Sequence, residues 1–84
     1  MKLEILGTGC AKCNALEAAT RAAADRLGLD YELVHVTDLR KFASYGVMMT
    51  PALVVDGKVK LSGRSAGEAE VARILQPAAG KQSE

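Results

Sequence analysis

The chain has 84 residues, enough for one domain and too few for two, and it is 49% hydrophobic but only 4% aromatic, so its core must be built from Leu, Val, Ile and Ala. The formal net charge is +1 with the charges scattered, which leaves no basic stripe for a nucleic acid. No stretch approaches the roughly 18–20 apolar residues of a membrane span, and Met1 to Leu6 enters a strand pattern without a secretory h-region, so the expected location is the cytoplasm.

Lys2 to Leu6 reads as a strand, apolar at Leu3 and Ile5. Gly7-Thr8-Gly9 is a flexible turn. From about Ala11 to Leu27 the period is helical, with Cys13, Leu16, Thr20, Ala23 and Leu27 along one face and Gly28 as a left-handed C-cap. Tyr31 to Val36 is β-branched and aromatic enough for a second strand. Asp38 caps a short helix over Leu39 to Tyr45 that Gly46 ends. Ala52 to Val55 is a compact apolar run, hence a buried strand, and Asp56-Gly57 signals a tight hairpin into Val59 to Leu61. Ser65, three before Glu68, reads as a capping box opening a last helix to about Gln76, closed by Pro77. The reading is one domain over 1–77, with 78–84 a disordered tail. The order β-α-β-α-β-β-α predicts a mixed four-stranded sheet flanked by three helices, its first β-α-β a right-handed crossover.

The chemistry centres on Cys10-Ala11-Lys12-Cys13, which holds both cysteines of the chain, set where strand gives way to helix. A helix start offers unpaired N–H groups and the positive end of the dipole. In a C-x-x-C motif there, a thiol pKa can fall from about 8.5 to roughly 3.5–7.5, and Lys12 adds positive charge acting the same way. Cys10 is therefore read as the exposed nucleophile and Cys13, on the buried face with Leu16, as the resolving thiol. A Cys10–Cys13 disulfide closes a loop too short to be a useful staple, so a structural role is the weaker reading. A C-x-x-C pair can also be half of a zinc or copper site, and His35 is the one further nitrogen ligand in the chain.

A second element joins the first. Gly46-Val47-Met48-Met49-Thr50-Pro51-Ala52-Leu53-Val54-Val55, together with the C-x-x-C motif and the element order, resembles the thioredoxin-like superfamily from Lys2 to about Gln76. Length and the Gly7-Thr8-Gly9-Cys10 lead-in are most similar to its small redox-active disulfide proteins. That resemblance implies a thioredoxin-like α/β fold, a cis Thr50–Pro51 bond packed against the disulfide, and substrate backbone pairing beside Thr50. It also implies a role for Glu4, six before Cys10, as an acid that helps ionise Cys13. The chain departs from thioredoxins in having Gly9 where they carry Trp and Ala11-Lys12 where they carry Gly-Pro. Glutaredoxins keep a Gly-Gly pair and an acid before the last helix; here Gly63-Arg64-Ser65 stands instead.

Met48 and Met49 flank the proline loop and suit adaptable docking of peptides. Thr8 and Gly9 border the thiol, with the Thr8 hydroxyl a candidate donor. His35, Tyr31, Phe42 and Tyr45 read as packing residues. The expected activity is thiol–disulfide exchange with a disulfide-bearing protein or small molecule and an unidentified reductant. It would need no cofactor beyond the disulfide and no resident metal, and the chain is expected to act as a monomer. The competing reading is a metal-binding module: copper chaperones also place Gly-x-x-Cys-x-x-Cys after a first strand. Their Met two before the first cysteine is replaced here by Thr8, and their element order differs.

Overall fold

The structure is a computed structural model that describes residues 1–9 and 11–79, the last three by backbone alone. The elements are β1 (Lys2–Leu6), α1 (Ala11–Arg26), β2 (Glu32–Val36), α2 (Leu39–Ser44), β3 (Ala52–Val55), β4 (Lys58–Ser62) and α3 (Glu68–Ala79). The four strands form one mixed sheet in the order β2-β1-β3-β4. β1 runs parallel to β2 and antiparallel to β3, and β3 pairs antiparallel with β4.

Side-chain alternation along β1 divides the core into two layers. Leu3 and Ile5 pack with Leu16, Ala23 and Ala24 of α1, Leu53 and Val55 of β3, and Val71 and Leu75 of α3. Leu6 faces the other way with Phe42, Val47, Ala52 and Val54, under α2. α1 and α3 therefore cover one face of the sheet and α2 the other. β1 and β3, inside the sheet and covered on both faces, are almost wholly buried. β2, at an edge, has only half-buried or exposed residues.

The helices form where composition and caps agree. α1 is rich in alanine, the best helix former, and buries Cys13, Leu16, Thr20, Ala23 and Ala24. The buried Thr20 hydroxyl donates to the Leu16 carbonyl at 2.7 Å, so it costs the core no unpaired donor. Gly28 takes φ +70° and the bonds Leu29 N–H to Ala24 O and Gly28 N–H to Asp25 O close a Schellman end. Asp38 caps α2, accepting from the Arg40 amide at 2.9 Å. In the hairpin, Asp56 and Gly57 both have positive φ, 49° and 85°, the geometry of a type I′ turn. The Asp56 carboxylate also accepts from the Lys2 amide at 2.7 Å, tying the turn to the start of β1.

The last helix departs from expectation at both ends. It begins at Glu68, so Gly67 rather than Ser65 precedes it and the Ser65/Glu68 capping box is not built. Arg64 instead pairs with Glu70 and contacts the Ser65 carbonyl, and the Gly67 carbonyl accepts from Val71 in the first turn. Pro77 does not close the helix, which runs on to Ala79. A proline this near a helix end removes one amide donor and no more than one ladder bond. Of the tail expected over 78–84, the first two residues are thus helical, and 80–84 lie outside the described residues. β2 starts at Glu32, one residue later than expected, and β4 is longer by one residue at each end. Among the described residues no helix is long and apolar enough to cross a membrane.

Candidate active site

β1 and β3 run antiparallel with Leu6 opposite Ala52, so the end of β1 and the start of β3 lie side by side at one end of the sheet. Gly7 continues β1 there, its amide donating to the Val36 carbonyl of β2 at 2.9 Å. Pro51 precedes β3; it is buried, and the Thr50–Pro51 peptide is cis. The Pro51 carbonyl accepts from the Gly63 amide just past β4 at 2.9 Å. Four strand ends are thereby held together by backbone pairing alone.

Onto this end α1 brings Cys13. The residue sits in the first turn of the helix and is fully buried. Its sulfur lies directly against Gly7: a Cβ placed there would fall 2.2 Å from Cys13 Sγ, 3.1 Å from Cys13 Cβ and 4.0 Å from Pro51 Cα. Cys13 and Pro51 thus both border Gly7, the sulfur far more closely. Cys10, expected to be the nucleophile, lies outside the described residues. Lys12, Thr8 and Gly9 are exposed around the same helix start, and α1 has no acidic residue in its first turn to oppose the dipole.

Beside Pro51 the chain offers apolar surface. Met48 is 96% exposed and Met49 66%, while Thr50 is half-buried. The Met49 side chain lies over Gly63, whose added Cβ would come within 3.4 Å of Met49 Cβ. Val47, two residues before, is buried in the layer under α2 and anchors the loop. The described residues among those read as site residues from the sequence lie at one end of the sheet, with one exception.

That exception is Glu4. It is buried at mid-strand in β1, between Val34 of β2 and Val54 of β3. By alternation it shares the face of Leu6, beneath α2, whereas α1 with Cys13 packs on the opposite face. Its side-chain partner is Tyr45 at the end of α2, whose hydroxyl donates to Glu4 Oε1. That hydrogen bond, with burial adding to it, pushes the Tyr45 phenol above its ordinary pKa. Reading Tyr45 from the sequence as packing alone misses this bond.

A second tie has no sequence signal. His35 of β2, paired with Ile5 and so on the α1 face, meets Glu17 of α1 with Nδ1 2.8 Å from Oε1. The bond to His35 is the leading cause holding the Glu17 carboxyl below its ordinary pKa, with Arg21 helping and burial opposing. It anchors the Cys13-bearing helix one turn below the sulfur. Among the described residues no three of His, Cys, Asp and Glu gather as a metal site.

A family model described as a thioredoxin domain matches residues 1–76 of the chain. The chain belongs to the thioredoxin family. A thioredoxin of Methanothermobacter thermautotrophicus is 40% identical over 75 residues, covering 89% of this chain and 97% of that protein. One of Methanocaldococcus jannaschii is 34% identical over 74 residues, covering 88% and 85%. The structure of thioredoxin 1 from Thermosipho africanus has the same fold, with a TM-score of 0.66 at 20% identity over 94% of each chain. Family membership makes the chain a thiol–disulfide oxidoreductase.

Proposed function

We propose that Cys10 and Cys13 are the redox pair with which this thioredoxin-family chain reduces disulfides, Cys10 attacking and Cys13 resolving. The observation that supports the reading is the burial of Cys13 in the first turn of α1, against Gly7 and at the strand end that Pro51 also borders. A sulfur so placed is shielded from a protein substrate, and its partner in the motif is three positions before it in the sequence.

In the exchange, the Cys10 thiolate attacks one sulfur of the substrate disulfide, forming a mixed disulfide and expelling the other sulfur as thiolate. Cys13 then attacks Cys10 Sγ, breaking the mixed disulfide and releasing the second substrate thiolate. Two electrons and two protons pass to the substrate and the Cys10–Cys13 disulfide remains. A dithiol reductant reverses the change, and no cofactor is needed. Lys12 and the helix start favour thiolate at Cys10. Pro51 borders Gly7 at the same strand end as Cys13, and Thr50 with its flanking Met48 and Met49 provides the surface along which a substrate peptide lies. Thr8 and Gly9 form the opposite border. Glu4 lies under the other face of the sheet, where it accepts from Tyr45. The substrates are disulfide-bearing proteins, met by a monomer in the reducing cytoplasm.

The test uses the two single variants and a peptide disulfide. Cys10→Ser should abolish reduction. Cys13→Ser should stop after the first step and accumulate a mixed disulfide visible as added mass. A Cys13→Ser variant that turns over normally, or a wild-type protein that binds copper(I) or zinc tightly and stoichiometrically while exchanging no disulfide, refutes the assignment.

A further inference from the structure

We propose that Gly7 is a positioning residue for the resolving step, the absence of a side chain there setting how deeply the Cys13 sulfur sits. The inference rests on the reading of Cys13 as the resolving thiol and extends it to a residue outside the C-x-x-C motif.

Gly7 is not required by its backbone. Unlike Gly9, which has φ +89°, it does not lie in the left-handed region that favours glycine. Space is what it supplies. The 2.2 Å between an added Cβ and Cys13 Sγ is a separation that real Cβ atoms essentially never show, and the 3.1 Å to Cys13 Cβ is also tight. The strand cannot easily retreat: the Gly7 amide is bonded to Val36, and Leu6 beside it is paired on both sides. Pro51 closes the remaining side at 4.0 Å. Any residue other than glycine therefore has to push the sulfur away, by about 1 Å or more to reach ordinary van der Waals contact. Resolution needs that sulfur aligned with the bond it breaks, and a misplacement of about 1 Å can cost on the order of a hundredfold in rate.

The experiment separates the two steps with dithiobis-nitrobenzoate, a chromogenic aryl disulfide. Cys10 attacks it and releases one nitrothiobenzoate; Cys13 then attacks Cys10 Sγ and releases the second, so one reagent disulfide is reduced as one protein disulfide forms. In Gly7→Ala the first release should keep its rate within about twofold while the second slows at least about tenfold. An unchanged second phase overturns the proposal. Should wild type release only one equivalent, it is the assignment of the pair that fails, a result distinct from equal second phases. Because Gly7→Ala could unfold the chain, its effect on Tm is measured with Cys13 and again in a Cys13→Ala background, where the 2.2 Å clash is gone. A smaller loss in the Cys13→Ala background, or folding restored there, supports the sulfur-specific contact; an equal loss in both backgrounds, or a double variant that stays unfolded, overturns it.

Discussion

Replacing Tyr45 with Phe removes one hydroxyl and leaves the ring in place, and the structure assigns that hydroxyl a single role. It donates to Oε1 of Glu4, a carboxyl group only 4% exposed in a strand paired on both sides. Water cannot easily take the place of the lost donor. A hydrogen bond to a charged group contributes about 1.5–3 kcal/mol, and in a domain of this size each 1 kcal/mol moves Tm by about 4–8 °C. Tyr45→Phe should therefore melt about 6–24 °C below wild type at pH 7, followed by far-UV circular dichroism. The pH dependence carries its own sign. The folded phenol is held above its ordinary value of 10 by Glu4, so the stability it brings is complete below about pH 10 and is lost as pH rises through the raised folded value. Tyr31, raised likewise by its bond to Asp25 at 2.9 Å, acts in the same direction and serves as the comparison. Urea midpoints measured from pH 8 to 11 should fall less steeply in Tyr45→Phe than in wild type. A loss below about 0.5 kcal/mol at pH 7, or an unchanged alkaline slope, would refute the claim that this hydroxyl compensates a buried carboxyl.

Two further outcomes follow from the same kind of reading. Because the Glu17 carboxyl is held below its ordinary value chiefly by His35, its contribution is present above the unfolded pKa of about 4.3 and disappears as pH falls through the folded one. Glu17→Gln should accordingly lose less stability than wild type between pH 5 and pH 3, by up to about 1 kcal/mol for a partly exposed pair; parallel urea midpoints across that window would exclude the tie. Leu53→Ala, fully buried opposite Ile5 and Leu61, should cost about 2–5 kcal/mol. Met48→Ala, at 96% exposure, should stay within about 0.5 kcal/mol, and comparable losses in urea titrations of the two would contradict the layer assignment.

Most elements were legible because their signals were local and mutually consistent. Asp56-Gly57 demands positive φ at two successive residues and obtains it, and Asp38 caps the helix it precedes. The last helix misled because its signals are local but its start is not decided locally. Ser65 and Glu68 have capping-box spacing, yet Arg64 turns to Glu70 and the chain enters the helix at Glu68. Pro77 reads as a stop signal because it lacks an amide donor, yet it forfeits one ladder bond and the helix is described past it to Ala79.

The burial of Cys13 was legible in the sequence, and the packing around it was not. The spacing of Cys13 with Leu16 places both on the buried face, and the structure buries both completely. That Pro51 stands beside Gly7 depends on β3 pairing with β1 so that Ala52 faces Leu6, a relation between distant segments that no window of sequence contains. The pairing of Tyr45 with Glu4 is of the same kind, since an alternating strand shows that Glu4 and Leu6 share a face but not what covers it. Gly7 is the sharpest case. In Gly7-Thr8-Gly9 the two glycines look alike, and both read as turn residues. One is needed for its dihedral angle, with open space around it, and the other for the space itself, with an ordinary dihedral and a sulfur in contact. Backbone torsion is a property of the residue and its neighbours, whereas the second requirement exists only once α1 has crossed the end of β1. Residues that serve a site by leaving room for it carry no chemical signature of their own, which is why the space beside the Cys13 sulfur is kept by a position the motif does not include.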